Sequence, residues 1–168
     1  MIIRTAVSTD LGQIKQLFQE LDACSVQQQP EHFQTGERSD AYLTELINRE
    51  DSAFLVCIEE DTIIGFSLLF LKETKPLSLL VPCTYAYIQD FVVSENRRRQ
   101  GYGTLLIEAS KQWSKDHNAQ YMLLSVIPDN EAGIRFYQKN GLYPQMITME
   151  CPLYSSIRQN IYNNSNQT

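Results

Sequence analysis

The segment of this chain most suited to chemistry contains two closely spaced glycines and reads Arg98-Arg99-Gln100-Gly101-Tyr102-Gly103. The segment separates a strand-like run (residues 85–93) from a helix-like run (residues 104–117). A glycine turn between strand and helix can direct several backbone N–H groups at one point, and the helix start adds unpaired donors and a partial positive charge. Together these features favour an anion site, most often for phosphate.

Two common nucleotide motifs do not fit this segment. A P-loop needs GxxxxGK[ST], but Gly101 and Gly103 are too close together and no Lys-Ser/Thr pair follows them. A Rossmann fingerprint needs GxGxxG near the first strand, whereas this GxG lies beyond residue 100 and precedes Thr104-Leu105-Leu106. The pattern that fits is R-x-x-G-x-G, from Arg98 to Gly103.

The R-x-x-G-x-G segment resembles the acyl-CoA pyrophosphate loop of the GNAT family of N-acetyltransferases. Residues 87–93 (YIQDFVV) resemble that family's central strand, and the N-x-x-A-x-x-F-Y pattern from Asn130 to Tyr137 resembles one of its helices. The resemblance spans most of residues 2–153. It implies an acyltransferase that uses acetyl-CoA, or a longer acyl-CoA, as donor.

The resemblance implies a set of cofactor-binding residues. Backbone N–H groups of the glycine turn and the hydroxyl of Thr104 would bind the pyrophosphate, and Arg97 or Arg99 could reach the 3′-phosphate. The pantetheine arm would pair with the central strand as an added strand, where one backbone N–H would polarise the acetyl carbonyl. Asn130 would contact the cofactor or serve as a plain helix N-cap. The predicted set is Phe91, Val92, Val93, Arg98, Arg99, Gln100, Gly101, Tyr102, Gly103, Thr104, Asn130 and Tyr137.

The resemblance also implies a catalytic acid and leaves the base open. Tyr137 matches the family tyrosine proposed to protonate the leaving thiolate, and a phenol with a pKa near ~10 suits an alkylthiol. Polyamine-acetylating relatives carry a Glu-Asp pair on the central strand, but this chain has Gln89-Asp90. Asp90 could accept the amine's proton, Glu59 or Glu60 are further candidates, and an amine already partly neutral in a dry site needs no strong base.

The acceptor pocket of such folds is lined by the first two helices and the loop between them, here residues 24–37. Phe33, Tyr85, Gln89 and Asp90 are the predicted substrate-binding residues. The acidic balance and the aromatic central strand favour a small cationic amine, polyamine-like or aminoglycoside-like. Protein N-terminal or lysine acetylation is the enzymatic alternative, and a non-catalytic acyl-CoA-binding module is the other. A homodimer through the segment that begins at Tyr143 rests on analogy alone.

Composition excludes several other classes of protein. The 168 residues suit one domain, and a net charge of −6 argues against a general nucleic-acid binder. Four cysteines without CxxC spacing and two histidines predict reduced thiols and no metal site. The chain shows no signal-peptide pattern and no apolar run of about 20 residues. We therefore expect a cytoplasmic protein that binds no metal, membrane or nucleic acid.

The elements that must position these residues follow the order β-α-α-β-β-β-α-β-α-β. This order, with the resemblance, predicts a single α/β domain (residues 2–153) and a polar C-terminal tail (residues 154–168). Its sheet is mixed and mostly antiparallel, with helices on both faces and a splayed central strand pair. The predicted strands are residues 2–7, 53–59, 62–71, 85–93, 121–127 and 143–153. The predicted helices start after Asp10, at a cap on Asp40, at Thr104 and at a cap on Asn130, with a loop or broken helix over residues 24–37 and a long connection over residues 72–82.

Overall fold

A five-stranded sheet carries the fold in residues 1–153, the part of the chain that the computed structural model describes. The predicted tail, residues 154–168, lies outside the described residues. The strands are β1 (Ile2–Thr5), β2 (Ser52–Glu59), β3 (Thr62–Glu73), β4 (Thr84–Val93) and β5 (Met122–Leu124). The helices are α1 (Leu11–Gln28), α2 (Asp40–Asn48), α3 (Tyr102–Asp116) and α4 (Glu131–Lys139).

The sheet runs in the order β1-β2-β3-β4-β5 and is antiparallel except between β4 and β5, which are parallel. This confirms the predicted mixed, mostly antiparallel sheet. β5 pairs with β4 only where Ala86–Ile88 lies beside Met122–Leu124. β5 ends at Leu124, opposite Ile88, so beyond that residue no strand in the described part of the chain pairs with this edge of β4.

Two hydrophobic cores lie on the two faces of the sheet. On the α1–α2 face the rings of Phe18, Phe54 and Phe66 pack together, with centroids 4.7 Å apart for Phe18 and Phe66. On the α3–α4 face Leu69 of β3 packs with Leu106 and other residues of α3. Because β2 and β3 are covered on both faces, nearly every residue in their centres is buried.

One extra residue in β4 divides its side chains between the two faces. Asp90 lies opposite Leu68 and Ile88 lies opposite Leu69, so Gln89 has no partner on β3 and forms a β-bulge. Leu68 belongs to the α1–α2 core and Leu69 to the α3–α4 core. Regular alternation would put residues 88 and 90 on the same face, but the bulge interrupts it, so Asp90 turns toward the α1–α2 face and Ile88 toward the α3–α4 face.

Several element boundaries differ from the sequence prediction. α1 continues to Gln28, so the start of the predicted 24–37 loop is helical. Ser39 rather than Asp40 caps α2, since its hydroxyl accepts the Tyr42 N–H at 3.2 Å. β3 ends at Glu73 and β4 starts at Thr84, so the connection predicted at residues 72–82 lies at residues 74–83.

The predicted final strand is wrong. Residues 143–153 have no regular structure, and large apolar side chains among them are exposed. Pro144 and Pro152 lack the N–H groups that a strand needs for pairing. β5 spans Met122–Leu124 rather than residues 121–127, and without a neighbour on its outer side it is half-buried instead of buried on both faces.

Substitution of Gly65 tests how β3 supports the site strand. Gly65 lies opposite Val93, and a Cβ at this position would lie 2.6 Å from the carbonyl oxygen of Val92. We expect Gly65→Ala to lower the free energy of unfolding by about 1–3 kcal/mol, because the backbones of β3 and β4 would have to move apart. Urea denaturation measures the change.

Gly12→Ala is the matched control for this substitution. Gly12 lies in α1, and an added Cβ would meet nothing within 4 Å. The control should raise the free energy of unfolding by about 0.5–1 kcal/mol. Equal and small effects of the two substitutions would mean that the close approach at Gly65 is not a constraint.

Candidate functional site

The turn before α3 adopts the backbone conformation of an anion cradle. Arg99 (φ 63°) and Gly101 (φ 94°) are both left-handed, and Gly101 is the N-cap of α3. Left-handed residues alternating with ordinary ones curve the chain so that its N–H groups line a concavity. The first N–H groups of α3, which begins at Tyr102, have no partner within the helix. The predicted residues from Arg98 to Thr104 therefore lie together in one turn.

A glutamate at the end of β2 holds this turn from one side. The carboxylate of Glu59 accepts a hydrogen bond from the Tyr102 hydroxyl and pairs with the Nε of Arg97 at 2.9 Å. The hydrogen bond raises the pKa of Tyr102. Glu59 lies opposite Thr62, beyond the end of β4, so the structure does not bring it to Asp90 or Tyr137. Its position supports a role in holding the turn and not the predicted role as a base.

A second glutamate holds the same turn from α1. Glu20 accepts hydrogen bonds from the Ser94 hydroxyl at 2.9 Å and from the Glu95 N–H at 3.0 Å. Sequence patterns gave no sign of this contact, which joins residues more than 70 positions apart. The segment that leaves β4 is thus fixed by carboxylates from two separate elements.

The open edge of β4 presents the backbone groups of Phe91 and Val93. The Ser94 N–H donates to the carbonyl of Ile64 on β3 at 2.8 Å, and alternate residues of a strand direct their backbone groups to the same side. Val92 therefore also faces β3, while Phe91 and Val93 face the slot that opens beside β5. The Nε of Arg98 donates to the Val93 carbonyl at 3.1 Å on that side.

Val92 does not have the position expected of a cofactor-binding residue. Its side chain is 4% exposed and belongs to the α1–α2 core. Its carbonyl points at Gly65, as the 2.6 Å distance to a Cβ there shows. Val92 supports the strand from within the protein, and only its two neighbours present backbone groups to the slot.

Tyr137 packs beside the open edge of β4. Its ring lies edge-on to that of Phe91 with centroids 6.1 Å apart, and Phe136 packs on the same ring at 5.8 Å. A Cβ on Gly103 would lie 3.0 Å from the Phe136 ring, so α3 and α4 meet closely here. Burial raises the pKa of Tyr137 to about 12. The phenol is therefore protonated at neutral pH and can act as a proton donor.

Asn130 caps α4. Its side-chain oxygen accepts the Gly133 N–H at 2.9 Å, and the first residue of the helix is Glu131. The structure thus confirms the N-cap alternative for Asn130. Contact of the same residue with a cofactor stays a prediction.

Asp90 is a half-buried carboxyl group on the α1–α2 face. Burial raises its pKa to about 6, against the opposing effect of the Arg38 guanidinium, and Asp22 raises it further. A carboxylate with this pKa is ionised at pH 7 to 8 but far more basic than an exposed aspartate. It can accept a proton from a cationic amine.

Asp22 and Arg38 were missed by the sequence prediction. Arg38 donates two hydrogen bonds to the carboxylate of Asp22, at 2.6 and 2.8 Å, and its guanidinium lies 4.0 Å from the centre of the Phe18 ring. The two charges flank the predicted acceptor loop at a separation of 16 residues, which matches no helix or strand period. The only feature of the sequence that could have suggested this ion pair is the presence of opposite charges on the two sides of that loop.

The other predicted acceptor residues are dispersed. Tyr85 stacks on Tyr121 with centroids 5.3 Å apart, and both line an open groove of about 620 Å³. Phe33 lies beyond α1 and is 42% exposed, and Gln89 is exposed at the bulge. Tyr87 is also on β4, and the Lys72 ammonium lies over its ring, 4.1 Å from the ring centroid. Asp90 and the tyrosines of β4 therefore share one face of the strand, whereas Phe33 and Gln89 face solvent.

Residues 1–153 contain no group of three or more His, Cys, Asp or Glu side chains placed to hold a metal ion. No helix in the same residues is both long enough and apolar enough to cross a bilayer.

Comparison with known proteins relates this site to acetyltransferases. A family model described as the acetyltransferase (GNAT) family matches residues 14–142. The solved structure of a mutant of the BH1408 protein from Bacillus halodurans matches with a TM-score of 0.87 and 29% identity, over 92% of this chain and 100% of that one. Aminoglycoside N-acetyltransferase AAC(6′)-Iy, solved in complex with CoA, shares the fold with a TM-score of 0.69 and 15% identity, over 90% of this chain and 98% of that one.

Curated relatives match a smaller part of the chain. An N-alpha-acetyltransferase from Saccharolobus solfataricus is 29% identical over 103 residues, which are 58% of this chain and 60% of that protein. The matched region covers 24% of the length of another curated relative, so the chain spans less than two thirds of each.

The family model covers β2 to β5, the glycine turn, and α3 and α4, which together form the site. The chain therefore belongs to the acetyltransferase (GNAT) family.

Proposed function

We propose that this protein transfers the acetyl group of acetyl-CoA to a primary amine of a small cationic molecule. The observation that carries the proposal is the placement of Asp90 and Tyr137 on opposite faces of β4. Between them runs the open edge with the backbone groups of Phe91 and Val93. A proton acceptor, a proton donor and a carbonyl-binding N–H are thus carried on or packed against one strand.

The residues present fit acetyl-CoA as the donor. The left-handed turn at Arg99 and Gly101 offers N–H groups to a pyrophosphate. The amide-rich pantetheine arm matches the open edge of β4, where it would complete the unpaired backbone groups. Arg97 is held by Glu59 and Arg98 by the Val93 carbonyl, which leaves the exposed Arg99 as our candidate for the 3′-phosphate.

The proposed chemistry is direct transfer. Asp90 accepts the proton that the amine loses, directly or through a water molecule, and the amine nitrogen bonds to the thioester carbon. The N–H of Phe91 or Val93 stabilises the negative charge that forms on the carbonyl oxygen. As the carbon–sulfur bond breaks, Tyr137 gives its proton to the leaving thiolate. The products are an amide and free CoA.

The acceptor side of β4 supports a cationic substrate. The whole chain carries a net charge of −6, and the carboxyl groups of Asp22 and Asp90 lie on this face. The Lys72 ammonium over the Tyr87 ring shows that this aromatic surface can hold a positive charge. A protein of the same fold, AAC(6′)-Iy, acts on aminoglycosides by name.

A protein N-terminus is the second candidate acceptor, favoured by the N-alpha-acetyltransferase among the relatives. A thiol-release assay across polyamines, aminoglycosides, free amino acids and peptides would separate the two. Acetyl-CoA binding measured by calorimetry on the same protein tests the donor. Binding without turnover on any amine would favour a non-catalytic acyl-CoA-binding module instead.

We further infer that the protein works in the cytoplasm, with the free thiols of Cys24, Cys57, Cys83 and Cys151 kept reduced. The exposed apolar side chains of residues 143–153 are the surface we propose for any homodimer. Sedimentation of the full chain tests the dimer.

Tyr137→Phe tests the proposed acid. The substitution keeps the ring against Phe91 and removes only the hydroxyl, so kcat should fall by about 10²–10⁴ while acetyl-CoA affinity is unchanged. Steady-state kinetics and calorimetry provide the two measurements.

Tyr102→Phe is the matched control for Tyr137→Phe. It removes the hydroxyl bonded to Glu59 and should change the KM for acetyl-CoA more than kcat. Equal kcat values for wild type and Tyr137→Phe would disprove the assignment of the acid.

Asp90→Asn tests the proposed base through pH dependence. Because the pKa of Asp90 is raised to about 6, the basic form is present above that pH and lost below it. Wild-type kcat/KM should therefore fall as the pH drops through about 6, and the substitution should lower kcat/KM by about 10²–10⁴ and abolish that acid limb.

Gln89→Ala is the control for the strand itself, since Gln89 is exposed at the bulge. It should retain the acid limb of the wild type. An acid limb that persists in Asp90→Asn would show that another group accepts the proton.

A further inference from the structure

An ion pair lies over Phe18 of the α1–α2 core, on the face of the sheet toward which Asp90 turns. Asp22 comes from α1, and Arg38 comes from the connection between α1 and α2. Their side chains are only 11% and 24% exposed, and both act electrostatically on Asp90. We call these three residues the Asp22–Arg38–Asp90 cluster. Of its members, the proposed reaction uses Asp90 directly and leaves Asp22 and Arg38 without a role.

We propose that Arg38 is a positioning and specificity-determining residue that sets the charge balance around Asp90. Two carboxylates and one guanidinium leave one net negative charge beside the reacting atoms. That balance suits a single ammonium at the reacting end of the acceptor and limits how strongly a second, nearby ammonium is favoured. The inference rests on the proposed function, in which Asp90 accepts the proton of the amine.

Three contacts fix the position of Arg38, and a further hydrogen bond fixes its partner Asp22. Its two terminal nitrogens bind both oxygens of Asp22, a fork-to-fork geometry that lysine cannot reproduce. The Gly36 N–H donates to the same carboxylate at 3.2 Å, so the connection is tied to α1 as well. The guanidinium lies over Phe18, whose ring packs on Phe66 in the core. The charge of Arg38 is therefore held at one place instead of moving with an exposed loop.

The groups around Asp90 act on it in opposite directions. The connection supplies Arg38, which lowers the pKa of Asp90, and α1 supplies Asp22, which raises it. β4 supplies Tyr87 on the same face, and β3 supplies the apolar Leu68 directly opposite. From α2, Tyr42 acts on Arg38 but not on Asp90 itself.

The first test compares pH profiles of two single variants. Arg38→Met removes the positive charge and leaves Asp22 unpaired, so the acid limb of kcat/KM should move to higher pH. Asp22→Asn removes a negative charge and releases Arg38 toward Asp90, so the limb should move to lower pH. We expect shifts of roughly 0.5–1 pH unit in these opposite directions. If Arg38 and Asp22 had only a structural role, both variants would lose activity but the acid limbs of their kcat/KM profiles would keep the same midpoint.

The second test measures selectivity with a matched pair of amines. Butylamine and putrescine share a four-carbon chain and differ in the second ammonium. The ratio of kcat/KM for putrescine to that for butylamine should rise about tenfold in Arg38→Met, because the site gains one net negative charge. Arg38→Lys keeps the charge, so its ratio and its pH midpoint should stay near those of the wild type. An unchanged ratio in Arg38→Met would overturn the proposal.

The outcomes separate this inference from the function on which it rests. An Asp90→Asn variant with wild-type kcat/KM and an intact acid limb would overturn the assignment of the base. If Asp90→Asn is inactive but Arg38→Met and Asp22→Asn shift the midpoint in the same direction or not at all, only the inference about Arg38 fails. If thermal melting shows that Arg38→Met does not fold, Asp22→Asn and Arg38→Lys still test the proposal. A lowered midpoint of the acid limb in Asp22→Asn together with a wild-type midpoint in Arg38→Lys would support it. Any other result would overturn it.

Discussion

The end of the pairing between β4 and β5 at Ile88 is the constraint on which the rest of this structure depends. A strand in the middle of a sheet normally satisfies its backbone groups on both sides, and buried N–H and C=O groups without partners are costly. Here the backbone groups of Phe91 and Val93 face a slot, with one carbonyl satisfied by Arg98. A ligand that presents amides in an extended chain can satisfy the remaining groups, and this is the property that links the fold to acyl-CoA.

An open strand edge needs support from elsewhere, and three features of this chain supply it. Gly65 lets β3 approach the carbonyl of Val92, so the paired side of β4 is tightly held. Glu20 and Glu59 fix the segment that follows the strand, one from α1 and one from β2. Glu59 pairs with Arg97 and with the Tyr102 hydroxyl, whereas Glu20 is bound by the Ser94 hydroxyl and the Glu95 N–H. The turn is thus held by contacts with two elements that are distant from it in sequence.

Local patterns predicted the parts of this site that depend on local backbone. The spacing of Gly101 and Gly103 between a strand and a helix predicted the cradle, and Asn130 predicted the start of α4. The contacts of Glu59 and Arg38 could not be predicted, because each joins residues that only the tertiary fold brings together. The sequence predicted a strand over residues 143–153, but Pro144 and Pro152 lack the N–H groups for pairing and the segment has no regular structure. Sequence resemblance supplied the family, and the tertiary contacts separated matching residues at the open edge from those, such as Val92, that lie in a core.

The bulge at Gln89 has an evolutionary consequence. By inserting one residue, it places Asp90 among the residues of α1 and the following connection, while Phe91 stays with α3 and α4. The face that would hold the donor and the face that would hold the acceptor are therefore separated by the sheet. Mutations in the connection after α1 would then change which molecule is modified without disturbing the thioester chemistry. A family built on this arrangement can diversify its substrates one face at a time.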